Sequence, residues 1–474
     1  MVAPNWTRSE LSREHWGHAA LRLQRGELAL LGLWAERRCA YMAVMEHDTK
    51  SFAVLSVACE EGCFPSVARV HPPAMRPERT IRDLVGVEPE GLPDARPWLR
   101  HAGAYGFLPA TGESLHQIPV GPVHAGVIEP GHFRFTANGE TVVRLEERLG
   151  YTHKGVDALI AGAPVERAAV LAGRVSGDST VAFALAFARA VEAALAIELP
   201  PRAEWLRGLL AELERLANHF GDIGAICNDA ALAILHAQFG LLRERVLRTC
   251  SACFGHRLMM DRVVPGGLSC DLPADGGQRV RELVALVRRI FPDLVEVYEN
   301  TASLKDRTVG TGILSPALAH QFAAGGFVGR ASGRNFDARR TPGYPPYDAL
   351  RFEVPVVQAG DVNARVWIRI REVEQSLALI EQILAALPPG PVLTAITEAA
   401  GPGAREGVAL VEGFRGDVFV WLRIDAEGRI ERCHLRDPSW FQWPLLEAAI
   451  EGNIVADFPL CNKSFNCSYS GHDL

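Results

Sequence analysis

Missing from the first stretch, MVAPNWTRSELSREHW, is any apolar run: it is polar and charged and does not read as the h-region of a secretory signal. It has no run of the ~20 apolar residues that a membrane-spanning helix needs. The most apolar helical stretch, from Thr180, meets Arg189 and Glu192 first. Basic residues are not in excess: Lys and Arg number 49 against 56 Asp and Glu, for a net charge of −7. Nucleic acid is therefore excluded as a main partner. No internal repeat or low-complexity tract is present. The ten cysteines are scattered, and only Cys250-Ser-Ala-Cys253 has the spacing of a zinc or dithiol pair. One such pair in a helical run reads as buried thiols, kept reduced in a cytoplasmic setting.

What is present is an ordinary globular composition, 48% hydrophobic and 22% charged over 474 residues, enough for two or three domains. Residues 1–105 mix helical and strand-like patches. A Gly-, Pro- and His-rich stretch follows, and residues 106–118 read as a linker. In residues 119–474 a hairpin comes first: HFRFTA and ETVVRLEE flank Asn138-Gly139, a strong turn signal. In AEWLRGLLAELERLANHF the residues Leu206, Leu209, Leu210, Leu213, Leu216 and Phe220 share one helical face. Glu212, Arg215 and His219 share another, which reads either as a solvated ion-pair stripe or as a functional face. Val373, Leu377, Ile380, Leu384 and Leu387 mark a further amphipathic helix, and DVFVWLRI, DAEG and RIERCHLR a second hairpin. The expected class is α+β: a small mixed N-terminal domain, then a mainly helical large domain with peripheral hairpins.

Three stretches have the residues for chemistry. In RVSGDSTVAFALAFAR, Ser176 and Ser179 sit three apart before an apolar helix, where Ser176, Asp178 and Ser179 also suit helix capping. In GPVHAGVIEPGHFRF, His124, Glu129 and His132 fall within nine residues, among glycines 121, 126 and 131. A carboxylate between two histidines suits proton transfer, and a surface loop with incidental histidines is the plainer alternative. The C-terminal DFPLCNKSFNCSYSGHDL is too apolar for an exposed tail and is expected to be buried.

These stretches resemble, in order along the chain, the large subunits of energy-converting [NiFe] hydrogenases and the homologous D subunit of respiratory complex I. GPVHAGVIEPGHFRF, GYTHKG, ERLANHFGDIGAICNDAA, RVVPGG, GFVGRASGRNFDARR, FEVPVVQAGDVNAR, VEGFRGDV and ADFPL carry the resemblance. PERTIRDLVGVEPEGLPDARPW similarly resembles the end of the complex I C subunit, so the chain looks like a C–D fusion. Active hydrogenases hold nickel with four thiolates. The resemblance places Ser176, Ser179 and Ser464 on three of those positions and leaves only Cys467 as a thiol; Cys461 falls three residues ahead of the first C-terminal ligand position. A serine hydroxyl is a poor, hard donor that does not ionise near neutral pH. No nickel–iron centre, and no cofactor of the chain's own, is therefore expected.

The resemblance implies a subunit of a membrane-associated oxidoreductase, peripheral on the cytoplasmic face of the cell membrane. An iron–sulfur small subunit would be a neighbour, together with antiporter-like and other membrane subunits. Glu129, His132 and Asp222 are the implied proton relay, and Arg415 matches an arginine beside the metal site of hydrogenases. The complex I quinone tyrosine falls on Gly177, which leaves His124 as the candidate donor to a quinone in a pocket with Gly177 and Arg415. Three readings stand open: a redox-coupling subunit without metal, a quinone-binding C/D-type subunit, and a structural subunit without ligand.

Overall fold

A computed structural model describes residues 6–46, 51–99, 105–125, 128–396 and 403–474. Gly126 of the histidine loop lies outside them. Strand β1 (Trp6–Leu11), helix α1 (Arg13–Gln24) and strands β2 (Leu28–Glu36), β3 (Cys39–Glu46) and β4 (Phe52–Ala58) form a four-stranded sheet in the order β1-β4-β3-β2. β1 runs parallel to β4; β2, β3 and β4 are antiparallel neighbours. One face closes over α1 and helix α2 (Met75–Val85) through Trp16, Leu23, Met42 and Ile81. The other face buries Trp34, Tyr41 and Val54 against a second sheet. With both faces covered, β2 needs no alternation and reads LALLGLWAE, apolar almost throughout.

The first expected hairpin forms as β6 (His132–Asn138) and β7 (Thr141–Arg148), with Gly139 at φ +58° in its turn. Ahead of them Leu115–Val120, read from its composition as connection, is a strand, β5, paired antiparallel with β6. Its residues are all intermediate or exposed, as on an edge strand.

Helices fill the middle of the chain: α3 (Thr180–Leu195), α4 (Pro201–Asp229), α5 (Ala233–Phe254), α6 (Gly276–Asn300) and α7 (Val362–Ala386). Pro201 stands at the first turn of α4, where a missing N–H costs nothing. Asp361 caps α7, accepting from the Ala364 amide at 2.7 Å. The last apolar set on α7 is the one expected, but the helix begins eleven residues earlier, at Val362. Among the described residues no single helix is long and apolar enough to cross a membrane. Val165–Ala172 and Gly177–Leu195 pass that test only together, bent by 114°, and α3 is buried along most of its length.

The second hairpin is part of a three-stranded sheet, β8 (Arg405–Gly413), β9 (Gly416–Ile424) and β10 (Ile430–Arg436). The added strand, β8, pairs with β9 through the tight tip Gly413–Gly416. Phe419 and Trp421 on this sheet meet Trp34 and Tyr41 of the first. Helices α8 (Ser439–Ile450) and α9 (Phe458–Phe465) follow, and the C-terminal segment is buried as its apolar content required.

Candidate functional site

The turn before α3 puts Ser176 in an extended conformation and Gly177–Ser179 in a single 3-10 turn. Neither serine caps the helix, against the capping expectation. Glu214 of α4 does that instead, accepting from the Val181 and Ala182 amides at 2.7 and 3.1 Å. The serine hydroxyls are thus released to face inward. Ser176 Oγ donates to Asp178 Oδ1 at 2.7 Å, and Ser179 Oγ to the same oxygen at 3.3 Å.

Arg415 meets them from the tip of the β8–β9 hairpin. Its Nη1 donates to Asp178 Oδ1 at 2.8 Å and to Ser179 Oγ at 3.0 Å, while Nη2 takes the second Asp178 oxygen. The tip is locked: a Cβ on Gly326, at φ +61°, would lie 2.0 Å from the Arg415 carbonyl. Gln442 also donates to that carbonyl, at 2.9 Å. Burial alone would raise the Asp178 carboxyl, but Arg415 and the two hydroxyls overcome it and hold the group at about 2. The pairing holds Arg415 above its already high value against desolvation.

The C-terminal segment closes the site. Asn466 ends α9 in the left-handed conformation, φ +46°. Its carbonyl accepts from Arg415 Nε at 2.5 Å and its side-chain amide donates to Asp222 Oδ1 at 2.8 Å. Arg369 holds the other Asp222 oxygen at 3.1 Å and the Ser464 carbonyl at 2.8 Å. Ser464 Oγ donates to the Cys461 carbonyl at 2.6 Å and accepts from Arg365 Nε at 2.9 Å. Ser468 Oγ lies 3.1 Å from Ser176 Oγ and 3.5 Å from Ser470 Oγ. One polar knot therefore joins Ser176, Ser179, Ser464, Arg415 and Asp222. Cys467 is buried beside it, and burial, the largest influence, pushes its thiol well above the ordinary value.

A nickel–iron centre does not fit these residues. The three hydroxyls are already engaged, and as hard, neutral donors they would leave a single thiol to grip a soft metal. Among the described residues no group of three or more His, Cys, Asp or Glu could hold a metal. Cys461 packs against Gly312, where an added Cβ would come within 2.5 Å of its sulfur. Cys250 and Cys253 are buried, and burial raises both thiols.

The histidine loop divides. Glu129 is exposed, and its Oε2 accepts from the Ser470 backbone amide at 3.0 Å. It is not buried beside His132, and the two share no hydrogen bond among the described residues. His132 is buried instead against the Gly121 carbonyl, 3.2 Å away, and accepts from Arg134 at 3.3 Å. Burial lowers its pKa, against the pull of that carbonyl. His124 is half-buried between Phe133 and Tyr469, and its Nε2 has no hydrogen-bond partner among the described residues. Gly177 is exposed, and a Cβ added there would meet no heavy atom within 4 Å.

Beneath the site, the Glu212, Arg215 and His219 face is buried and is not a solvated stripe. Arg215 donates to the Glu412 and Gly413 carbonyls at 2.9 and 3.0 Å, which fixes the hairpin that presents Arg415. Glu372 receives His219 at 2.7 Å and Arg330 at 2.8 Å. Burial would raise the Glu372 carboxyl, but Arg330 and His219 hold it far below its usual range. The sequence reading missed Arg365, Arg369 and Glu372. Their spacing with Ser376, at i, i+4, i+7 and i+11, marks one polar stripe on α7 that a helical count finds.

Two family descriptions match the chain: the respiratory-chain NADH dehydrogenase 49 kDa subunit over residues 230–403 and 394–473, and the 30 kDa subunit over 27–111. Formate hydrogenlyase subunit 5 of Escherichia coli (strain K12) is 31% identical over 463 residues, 91% of this chain and 81% of that protein. The carbon monoxide-induced hydrogenase of Rhodospirillum rubrum is 31% identical over 358 residues, 74% of this chain and 98% of its own. The NADH-quinone oxidoreductase D subunit of Dehalococcoides mccartyi (strain ATCC BAA-2266 / KCTC 15142 / 195) is 31% identical over 343 residues, 71% and 92% respectively. The chain belongs to the 49 kDa (D) subunit family shared by complex I and hydrogenases of this kind, and carries a 30 kDa (C) subunit region ahead of it.

Proposed function

We propose that this chain is a C/D-type subunit of a membrane-associated, multi-subunit oxidoreductase and couples electron transfer in its neighbours to proton or ion movement, with no nickel–iron centre of its own. Its neighbours would be an iron–sulfur subunit and membrane subunits of the antiporter type, with the chain peripheral on the cytoplasmic face. Residues 1–105 form one part of this fusion and 119–474 the other. The observation that supports the reading is the Asp178–Arg415 ion pair, which engages the Ser176 and Ser179 hydroxyls while staying tied to Asp222 through Asn466. A site of fixed charges and hydroxyls can pass protons only from hydroxyl to hydroxyl, and it is unsuited to binding a soft metal.

In this reading Glu129 is the solvent-facing carboxylate, His132 a second titratable group of its loop, and Asp222 the inner carboxylate. The Glu129 contact runs through a backbone amide, which anchors residue 470 but hands on no proton. Rotation of the Ser470 hydroxyl toward Glu129 would complete the run through Ser468 and Ser176 to Asp178. The test is turnover of the assembled complex carrying Glu129→Gln, Asp222→Asn or Arg415→Ala. Loss of proton-coupled turnover with retained assembly is expected. Unchanged turnover in all three would leave a structural subunit.

A second reading has its own support. Gly177 leaves open space at the site's mouth, and one ring nitrogen of His124 has no hydrogen-bond partner among the described residues. A quinone head group accepting from His124 would use both. Binding of a short-chain ubiquinone to the assembled complex, lost in His124→Ala, is the expected result; equal binding in that variant removes this reading.

A further inference from the structure

A cavity of about 210 Å³ lies where the N-terminal sheet meets the C-terminal part of the fold. Its walls come from β2, α2, the short helix Val156–Ile160, β10 and α8. Asp178, Arg415 and Asp222 are not among them. A dry apolar cavity of ~150 Å³ admits a benzene-sized ring, so the volume suffices for a small molecule. Leu33, Ile81, Leu84, Leu99 and Phe441 supply an apolar lining. Leu84 is 47% exposed and Ala158 is exposed, which marks a mouth.

Part of the polar wall is unsatisfied. Trp34 Nε1, Thr80 Oγ1, Asp157 Oδ1, Arg432 Nε, His434 Nε2 and Trp440 Nε1 are buried without a hydrogen-bond partner among the described residues, and all six residues line this cavity. Unpaired buried polar atoms are uncommon and costly, so a group of them around one void points to a partner from outside the chain. The two indole N–H groups and the Arg432 Nε–H can only donate, so the partner these three lack is an acceptor. Arg432 and Asp157 face each other at 3.7 Å and offset one another's charge. His434 is held well below its ordinary pKa, by burial first and by Arg432 and Arg436, so its ring is neutral near pH 7. Arg436, also on the wall, is paired with Asp417 Oδ2, so each of these side-chain charges has its counter-charge.

We propose that this cavity binds a small neutral molecule with a single-ring or short branched body and a hydrogen-bond-accepting carbonyl or ether oxygen, held by Trp440, Trp34 and Arg432. The site is distinct from the charged knot and does not rest on the reading of that knot.

The test uses the full chain and two probes of nearly equal shape, acetophenone and ethylbenzene, followed by saturation-transfer NMR and titration. Acetophenone should bind about tenfold more tightly, the worth of one hydrogen bond. Ala158→Trp, at an exposed position on the mouth, should abolish binding of both without disturbing the core. Trp440→Phe should narrow the difference between the two affinities. Absence of acetophenone binding to the wild-type chain, or undiminished binding to Ala158→Trp, overturns the site. Equal wild-type affinity for both probes leaves water as the partner of the polar atoms and overturns the assigned head group.

Discussion

Arg415→Met removes the cation of the knot and keeps much of the side-chain bulk. The Arg415 side chain is 5% exposed, and the change strips the Asp178 carboxylate of both guanidinium bonds, Ser179 of one and the Asn466 carbonyl of its donor. Breaking a buried pair from one side costs about 3–5 kcal/mol. The Asp178 side chain keeps 35% of its exposure, so water rescues part of that, and about 2–3 kcal/mol is expected near neutral pH. Arg415→Lys keeps the charge but not the fork, and should cost about 1–2 kcal/mol. A pH series gives a second check. Asp178 sits at about 2 in the folded protein against an ordinary 3.8. Its folded value is depressed, so its contribution is fully present well above pH 3.8 and is lost as pH falls through about 2. The ceiling is about 2.4 kcal/mol, reduced to about 1–1.5 kcal/mol by the exposure. Urea titrations followed by tryptophan fluorescence, on Asp178→Asn, Arg415→Met and the double variant, measure the coupling as a cycle. Additive losses, or an Arg415→Met chain within ~0.5 kcal/mol of wild type, would refute the account of the knot.

Glu214→Ala should cost about 2 kcal/mol in the same titration, because two helix-start amides lose their acceptor. Burial lifts the Glu214 carboxyl from 4.5 to about 8, against the pull of the Val181 and Ala182 amides. With its folded value raised, ionisation erodes stability as pH climbs between those values, and Glu214→Gln should flatten that fall. Gly326→Ala should destabilise by more than ~3 kcal/mol, since φ +61° and a Cβ 2.0 Å from the Arg415 carbonyl leave it no room. Gly177→Ala, whose Cβ meets nothing within 4 Å, should stay within ~0.5 kcal/mol, and thermal melts of the pair would show the contrast. Purified chain dialysed against nickel sulfate should retain far less than one nickel per chain by elemental analysis; stoichiometric metal would contradict the donor argument.

The motifs were legible because they are local. RVSGDS, EPGH, EGFRG and DFPL each lie within a few residues, and the structure brings Ser176, Ser179, Arg415 and Ser464 into one knot. What joins them was not legible. Asn466 acts through a left-handed backbone and a carbonyl, which no side-chain type announces. Glu214 caps a helix more than thirty residues away in sequence, a pairing that only tertiary packing creates. The strand Leu115–Val120 reads as connection because its pairing partner supplies the order and its own residues do not. The Glu212, Arg215 and His219 face illustrates a different limit. Helical periodicity fixes which residues share a face, but not whether that face meets water. The answer came from Arg339, Arg330 and Glu372, carried by other segments.

The β8–β9 hairpin is gripped at both ends. Phe419 and Trp421 are wedged among the aromatic rings of the N-terminal sheet, while Arg415, about 13–20 Å away along the extended strand, holds Asp178. A paired ribbon of this length resists bending, so its two anchor points are held at a fixed separation. The seat of the guanidinium on its carboxylate is thereby set from the amino-terminal layer as well as from the C-terminal turn.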